Sequence, residues 1–204
     1  MTEVDQSVRA GWRLHDDLLR AFRQAQARMG EPVVFTCTKG CSACCSEAAQ
    51  ATRQEAQAVF NAIPEARRVQ VKERVAGWLE RWRSSGLQAS QRSQTLGVVE
   101  YRTANLVCPL LEANLCSVYD SRPLSCRAHN AAKPREFCDD VGKRKDQVFF
   151  DTREITADAV HRMAWKPGRP ESQRPIFILE FALLGDWLAF FFGLIPESEV
   201  VKAQ

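Results

Sequence analysis

The sequence predicts a mainly α protein: a single helical domain over residues 1–204, with a cysteine-rich loop and a small hairpin or turn region forming a metal site. Three observations support this prediction. Apolar residues recur at helical spacing in several segments. Hydrophobic residues make up 45% and charged residues 26% of the 204 residues, a balance that lets a chain bury a core without crosslinks. Eight cysteines gather in two regions, and because the chain can bury a core by itself, a metal is not needed merely to make it fold.

The first predicted helix covers Val8 to Met29, where apolar residues recur three or four positions apart, and Gly30 followed by Pro32 ends it. His15 lies on the same apolar stripe. It is interpreted either as a metal ligand or as a hydrogen-bonded core histidine, because buried polar groups find partners.

Two further helices are predicted after the first cysteines. Thr52 and Glu55 have the spacing of a capping box, and Pro64 fits the first position of the next helix, which ends near Gly86. Their predicted buried faces are Ala56, Val59, Phe60 and Ile63, and then Val71, Val75, Trp78, Leu79 and Trp82.

The following segments are less regular. Residues 87–107 are mixed and polar, and they are predicted to form a connection with one helical turn. The apolar segments 106–111 and 115–119 flank a polar tip at 112–114, which is typical of a small hairpin.

The run from Pro175 to Ile195 is the most apolar part of the chain. Its length, about 20 residues, would span a bilayer, but Glu180 and Asp186 inside it would each be costly in lipid. We therefore predict a core helix and no transmembrane segment. The alternative is an aromatic face that contacts a membrane surface or a second subunit of a homo-oligomer.

Charge and the N-terminal residues bear on the partners and the cellular location of the protein. The 28 basic and 25 acidic residues leave a net charge of +3, spread along the chain, which argues against a nucleic-acid partner. The first five residues, MTEVD, lack the basic and apolar regions of a secretory signal. A reducing cytoplasmic location is therefore expected, where cysteines are available for metal.

The cysteines carry the predicted chemistry. Four lie within nine residues, and the second four are separated by seven, nine and eleven residues, so they must converge by tertiary folding. Thiolates are soft ligands for zinc or iron–sulfur clusters. The alternatives are buried cysteines acting as small apolar residues, or disulfides. The predicted metal ligands are Cys37, Cys41, Cys44, Cys45, Cys108, Cys116, Cys126 and Cys138.

Several details of the cysteine regions leave alternatives open. The neighbours Cys44 and Cys45 point in different directions in most backbones, so one of them serves a second site or stands outside the first. Arg122 and Arg127 bracket Cys126 and are predicted to offset the charge of a bound cluster, unless Arg122 merely fixes a turn. His129 is either a ligand or a surface histidine.

The sequence combines several motifs: the four early cysteines, the helix start at Thr52 and Glu55, CPLL at 108–111, CSVY at 116–119 and RPLSCR at 122–127. Together these motifs resemble the YkgJ-type cysteine-cluster family of zinc- or iron-chelating domains, over about residues 35–130. The chain departs from the family pattern in having three residues, not two, between its first two cysteines. The resemblance implies metal chelation and favours a 4Fe–4S cluster, because flagellin lysine methylases carry a similar cysteine domain.

The leading functional hypothesis is an iron–sulfur protein with a role in electron transfer or redox sensing, which implies a redox protein partner. The alternative is a structural or metal-handling zinc protein. A third hypothesis is an S-adenosylmethionine-dependent iron–sulfur enzyme, because the gaps between Cys37, Cys41 and Cys44 match the loop of such enzymes. Those enzymes resemble large barrels of alternating strands and helices, whereas this chain is shorter and its stripes are mostly helical.

Overall fold

A computed structural model describes residues 3–32, 34–150, 152–164 and 180–203. It confirms a mainly α fold with two small antiparallel sheets. The helices are α1 Glu3–Arg28, α2 Arg53–Asn61, α3 Arg68–Ser84, α4 Gln88–Arg92, α5 Val98–Thr103, α6 Leu124–Arg127, α7 Glu136–Asp139, α8 Val141–Arg144, α9 Arg153–Ala164 and α10 Leu184–Phe191. The strands are β1 Gln50–Thr52, β2 Leu111–Glu112, β3 Leu115–Cys116 and β4 Phe181–Leu183.

The chain divides into two compact units. The first unit comprises Met1–Thr38 and Leu124–Leu179, and the second comprises Lys39–Pro123 and Glu180–Gln204. The organisation of residues 1–204 as one domain stays a prediction.

The first unit is built on the packing of α1 against α9. Val8 and Trp12 are buried, as the apolar stripe predicts, whereas Met29 is 65% exposed beyond the end of the helix. Gly11 allows the close approach, since a Cβ there would lie 2.8 Å from the carbonyl oxygen of Ala159. The predicted first helix is confirmed, and its N-terminal half supplies the core contacts.

The second unit is built on α2, α3 and α10, with α10 packing against both other helices. The predicted capping box between Thr52 and Glu55 is present. The apolar faces of α2 and α3 are buried as predicted, except that Phe60 is half-buried. Trp78 anchors this core, where its Nε1 donates to the hydroxyl of Tyr101 at 3.2 Å.

The segment 87–107 differs from its prediction. It contains two short helices, α4 and α5, where a connection with one turn was expected. Tyr101 on α5 is 4% exposed and Gln91 on α4 is fully buried. Tertiary contacts with α3, such as the bond from Trp78, hold α5 in place although its sequence has weak periodicity.

The C-terminal apolar run is only in part the helix that was predicted, and its residues 175–179 lie outside the described residues. Residues 181–183 form β4, which pairs antiparallel with β1, and the helix is limited to 184–191. An apolar run without periodicity cannot distinguish a buried strand from a buried helix, and β1 is distant in sequence. Leu184 to Ala189 are buried, which confirms the core assignment.

None of the described helices combines the length and apolar character needed to cross a membrane. Contact between subunits through α10 stays a prediction.

The predicted hairpin is confirmed as the pair β2 and β3, with Leu111 opposite Cys116. Its two turn residues, Ala113 and Asn114, have φ of 47° and 62°. Positive φ at both positions is the signature of a type I′ turn, whose twist matches that of paired strands. The hairpin thereby fixes the position of Cys116.

Candidate metal centre

The loop that carries Cys41, Cys44 and Cys45 is tightly folded. Gly40 adopts φ of 98°, a conformation that favours glycine, and so lets the chain turn back. The next turn is a 3₁₀ helix, Ala43–Ser46, in which the amide of Cys45 donates to the carbonyl of Ser42 at 2.9 Å. The sequence thus places two neighbouring thiols on one rigid turn.

Two hydrogen bonds join this loop to the later cysteine region of the second unit. The amide of Cys108 donates to the carbonyl oxygen of Cys45 at 2.7 Å. The hydroxyl of Ser42 donates to Oδ1 of Asn114, at the hairpin tip, at 3.3 Å. Cysteines distant in sequence therefore converge by tertiary folding within this unit.

The thiols of this unit influence one another. A hydrogen bond with the Cys45 thiol, together with burial, raises the pKa of Cys44 well above its usual range. Burial raises the pKa of Cys116, and the nearby Cys44 raises it further. Cys44 and Cys116 thus lie in one neighbourhood that favours the neutral thiol. A metal cation reverses this preference, because it binds the thiolate and releases the proton.

The positive charge of Arg122 acts on two of these thiols. Its charge lowers the pKa of both Cys44 and Cys116, against the larger effect of burial. Its Nε donates to the carbonyl of Tyr119 at 2.9 Å, and its guanidinium lies 3.6 Å from the centre of the Tyr119 ring. Arg122 therefore fixes a turn and also acts on two of the thiols, while its role beside a bound cluster stays a prediction.

A buried ion pair behind the loop was not found from the sequence. Glu47 accepts from Nη2 of Arg102 at 3.0 Å, with side chains only 11% and 12% exposed. The same nitrogen lies 3.4 Å from the carbonyl oxygen of Ala43, which it can reach as a donor. Glu47 and Arg102 are 55 positions apart, so no local spacing signals the pair.

The remaining predicted ligands lie in the first unit. The sulfur of Cys37 accepts from the amide of Ala131 at 3.2 Å. Cys138 is buried, and its sulfur accepts from Nε2 of Gln147 at 3.0 Å. Cys126 lies on α6. Donors aimed at sulfur stabilise thiolate and metal-bound thiolate, so these contacts suit ligands as well as core cysteines.

Arg127 lies against α1 within the first unit. Its Nη1 donates to Oδ2 of Asp16 at 2.6 Å, and its guanidinium carbon lies 5.1 Å from the centre of a Trp12 ring. Nδ1 of the fully buried His15 lies 3.4 Å from the other carboxylate oxygen of Asp16. His15 is thus buried in the core, but its Nε2 has no hydrogen-bond partner among the described residues. A role of Arg127 at a metal centre stays a prediction.

His129 packs its ring against Phe149, with ring centres 4.8 Å apart, and is partly exposed.

The donor set fits a thiophilic metal. All eight cysteines lie in the described part of the chain and none forms a disulfide, so the disulfide alternative is not observed. Across residues 3–32, 34–150, 152–164 and 180–203, no three or more Cys, His, Asp or Glu side chains are already grouped to hold an ion. In a metal-bound protein the cysteine thiols would be the ligands. Their softness suits zinc or iron over calcium or magnesium.

Comparison with known proteins identifies the family. A search of the curated proteins and a search of the solved structures each returned no match. A family model named CxxCxxCC, described as a "putative zinc- or iron-chelating domain", matches residues 36–149. The last three cysteines of that pattern correspond to Cys41, Cys44 and Cys45, and Cys37 precedes them by one extra residue. Because the match covers more than half of the chain, this protein belongs to the CxxCxxCC cysteine-cluster family that its sequence motifs predict.

Proposed function

We propose that this protein binds an iron–sulfur cluster, of the 4Fe–4S type, through cysteine thiolates. The observation that carries the proposal is the neighbourhood of Cys44, Cys45 and Cys116 in the second unit, to which Cys108 is tied by its backbone. Membership of a zinc- or iron-chelating family supports metal binding in general. We propose a cluster over a single metal ion on the basis of the charges around these thiols.

Charge supports a cluster at this place. A 4Fe–4S cluster held by four thiolates is anionic, and burial of that charge is costly unless cations or hydrogen-bond donors compensate it. Arg122 acts on two of the thiols, and Nζ of Lys39 lies 5.4 Å from the centre of the same Tyr119 ring. Two cations at this edge would offset part of the negative charge.

The second unit offers more thiols than one cluster needs. Its five cysteines are Cys41, Cys44, Cys45, Cys108 and Cys116. Since Cys44 and Cys45 are adjacent, we propose that only one of them completes the set of four. Cys37, Cys126 and Cys138 of the first unit remain candidate ligands.

When bound, a cluster of this type exchanges single electrons at a potential set by the ligands, hydrogen bonds and burial around it. The protein chain would then tune that potential through Arg122 and the amides near sulfur. We propose a role in electron transfer or redox sensing with a redox protein partner, in a reducing compartment such as the cytoplasm.

Anaerobic purification tests the proposal. The protein should be brown, absorb in the visible range through sulfur-to-iron charge transfer, and contain about four iron and four acid-labile sulfide ions per chain. A colourless protein without iron and sulfide would contradict it.

A zinc protein is the second candidate, favoured by the even number of eight cysteines, which matches two closed four-ligand sites. Stoichiometric zinc, with loss of the fold on treatment with a chelator, would select this candidate. Visible absorbance would then be absent, so one preparation distinguishes the two metals.

A further inference from the structure

A cleft of about 400 Å³ lies in the second unit, outside the cysteine loop. One wall is the face of α3 that carries Arg74, Gly77 and Arg81, which lie three and four positions apart and so share one side of the helix. The opposite wall comes from the segment around Cys108 and Pro109. This volume lies at the lower end of the range for small-molecule sites.

Two arginines of the cleft are held in place by the backbone of the opposite wall. Nε of Arg74 donates to the carbonyl of Pro109 at 2.8 Å, and Nε of Arg81 donates to the carbonyl of Asn105 at 3.0 Å. Each bond uses one of the five N–H donors of a guanidinium and restricts its orientation. Neither bond uses a terminal nitrogen of its guanidinium.

Neither Arg74 nor Arg81 makes an ion pair with a described residue, although Glu73 also lines the cleft. Nη2 of Arg74 is buried and has no hydrogen-bond partner among the described residues. A buried charged donor without a partner is costly, and an acceptor in the cleft would remove that cost.

We propose that this cleft binds the oxyanion of a small molecule, a carboxylate or a phosphate. Guanidinium groups bind both through paired, charge-assisted hydrogen bonds. The site goes beyond metal binding and does not depend on which metal the cysteines hold.

Calorimetric titration of the full chain with inorganic phosphate, pyrophosphate and citrate at fixed ionic strength tests the proposal. Wild-type protein should bind at least one of these probes, and the preferred probe distinguishes a phosphate ligand from a carboxylate ligand. Arg74→Gln and Arg81→Gln should each weaken binding about tenfold, the scale of one charge-assisted hydrogen bond. The matched control is Lys72→Gln, which removes one positive charge from an exposed position of α3 that does not line the cleft. It should change affinity less than twofold.

A second measurement uses the wild-type protein and so is independent of the folding of any variant. Phenylglyoxal modifies accessible arginines, and peptide mapping should show that the bound probe protects Arg74 and Arg81 but not Arg20, which is exposed on α1. The proposal is wrong if no probe binds, if the probe leaves Arg74 and Arg81 unprotected, or if Lys72→Gln weakens binding as much as Arg81→Gln does.

Discussion

At the scale of single residues, Asp186 on α10 is a carboxylate at an unfavourable place. It is 1% exposed, and its Oδ2 accepts from the amide of Val201 at 3.0 Å. Burial raises the pKa of Asp186 to about 7, although the Val201 amide and the charge of Arg83 lower it in part. The fold therefore prefers the protonated form of this side chain.

This preference predicts a dependence of stability on pH. Because the folded-state pKa is raised from 3.8 to about 7, the stabilising contribution of the protonated form is complete below pH 3.8 and is lost as the pH rises through about 7. Asp186→Asn keeps the neutral form at every pH. Its advantage over the wild type in free energy of unfolding should grow by about 2 kcal/mol between pH 5 and pH 8.

Urea unfolding of both proteins at pH 5, 6, 7 and 8 measures this difference. A constant difference across the series, or an asparagine variant that is less stable at pH 8, would show that burial does not control this carboxylate.

At the scale of elements, the start of α2 depends on its capping box. The Thr52 hydroxyl accepts from the amide of Glu55 at 3.1 Å, and Oε2 of Glu55 accepts from the amide of Thr52 at 3.1 Å. Thr52→Ala should lower the free energy of unfolding by about 1 kcal/mol, because one buried amide loses its acceptor. Thr52→Ser keeps the hydroxyl and should cost less than Thr52→Ala, because it loses only the buried methyl group. Equal losses for the two variants in chemical denaturation would mean that the methyl group of Thr52, and not the cap, stabilises the helix.

The packing of α10 against α3 depends on a glycine. A Cβ at Gly185 would lie 2.6 Å from the ring of Trp78, which is fully buried and cannot move freely. Gly185→Ala should therefore destabilise the protein by about 1–3 kcal/mol. Gly77→Ala is the matched control, because its Cβ would be 3.5 Å from the nearest atom and alanine favours a helix. It should raise stability by about 0.5–1 kcal/mol.

Thermal unfolding of the two glycine variants should thus move in opposite directions from the wild type. A fall in melting temperature for both variants would indicate that the destabilisation by Gly185→Ala does not come from a clash with Trp78.

The elements that could be predicted from sequence are those with strong local signals. The apolar stripes of α1 and α3, the cap at Thr52 and the hairpin tip at 112–114 are all encoded by neighbours in the chain. The strand β4 was mistaken for helix because it depends on pairing with β1. The short helices α4 and α5 are not predicted, because the sequence there lacks helical periodicity. Tertiary contacts, such as that of Trp78 with Tyr101 on α5, stabilise this segment instead.

At the scale of the whole molecule, the sequence predicts which residues supply sulfur but not how they meet. The hydrogen bond from the backbone amide of Cys108 to the carbonyl oxygen of Cys45 joins segments that no local pattern connects. The ion pair of Glu47 with Arg102 and the cleft beside α3 also arise only from tertiary folding. The metal-binding role of the cysteines is predictable from the sequence, because eight soft thiol ligands in one short chain have few purposes other than metal binding.

The metal content of the second unit's thiol group tests the account most directly. We predict that anaerobically purified wild-type protein contains stoichiometric iron or zinc by elemental analysis, and that Cys116→Ser, purified in the same way, loses most of it. Wild-type protein without either metal, or a Cys116→Ser variant that keeps the full amount, would contradict the claim that these thiols share a metal centre.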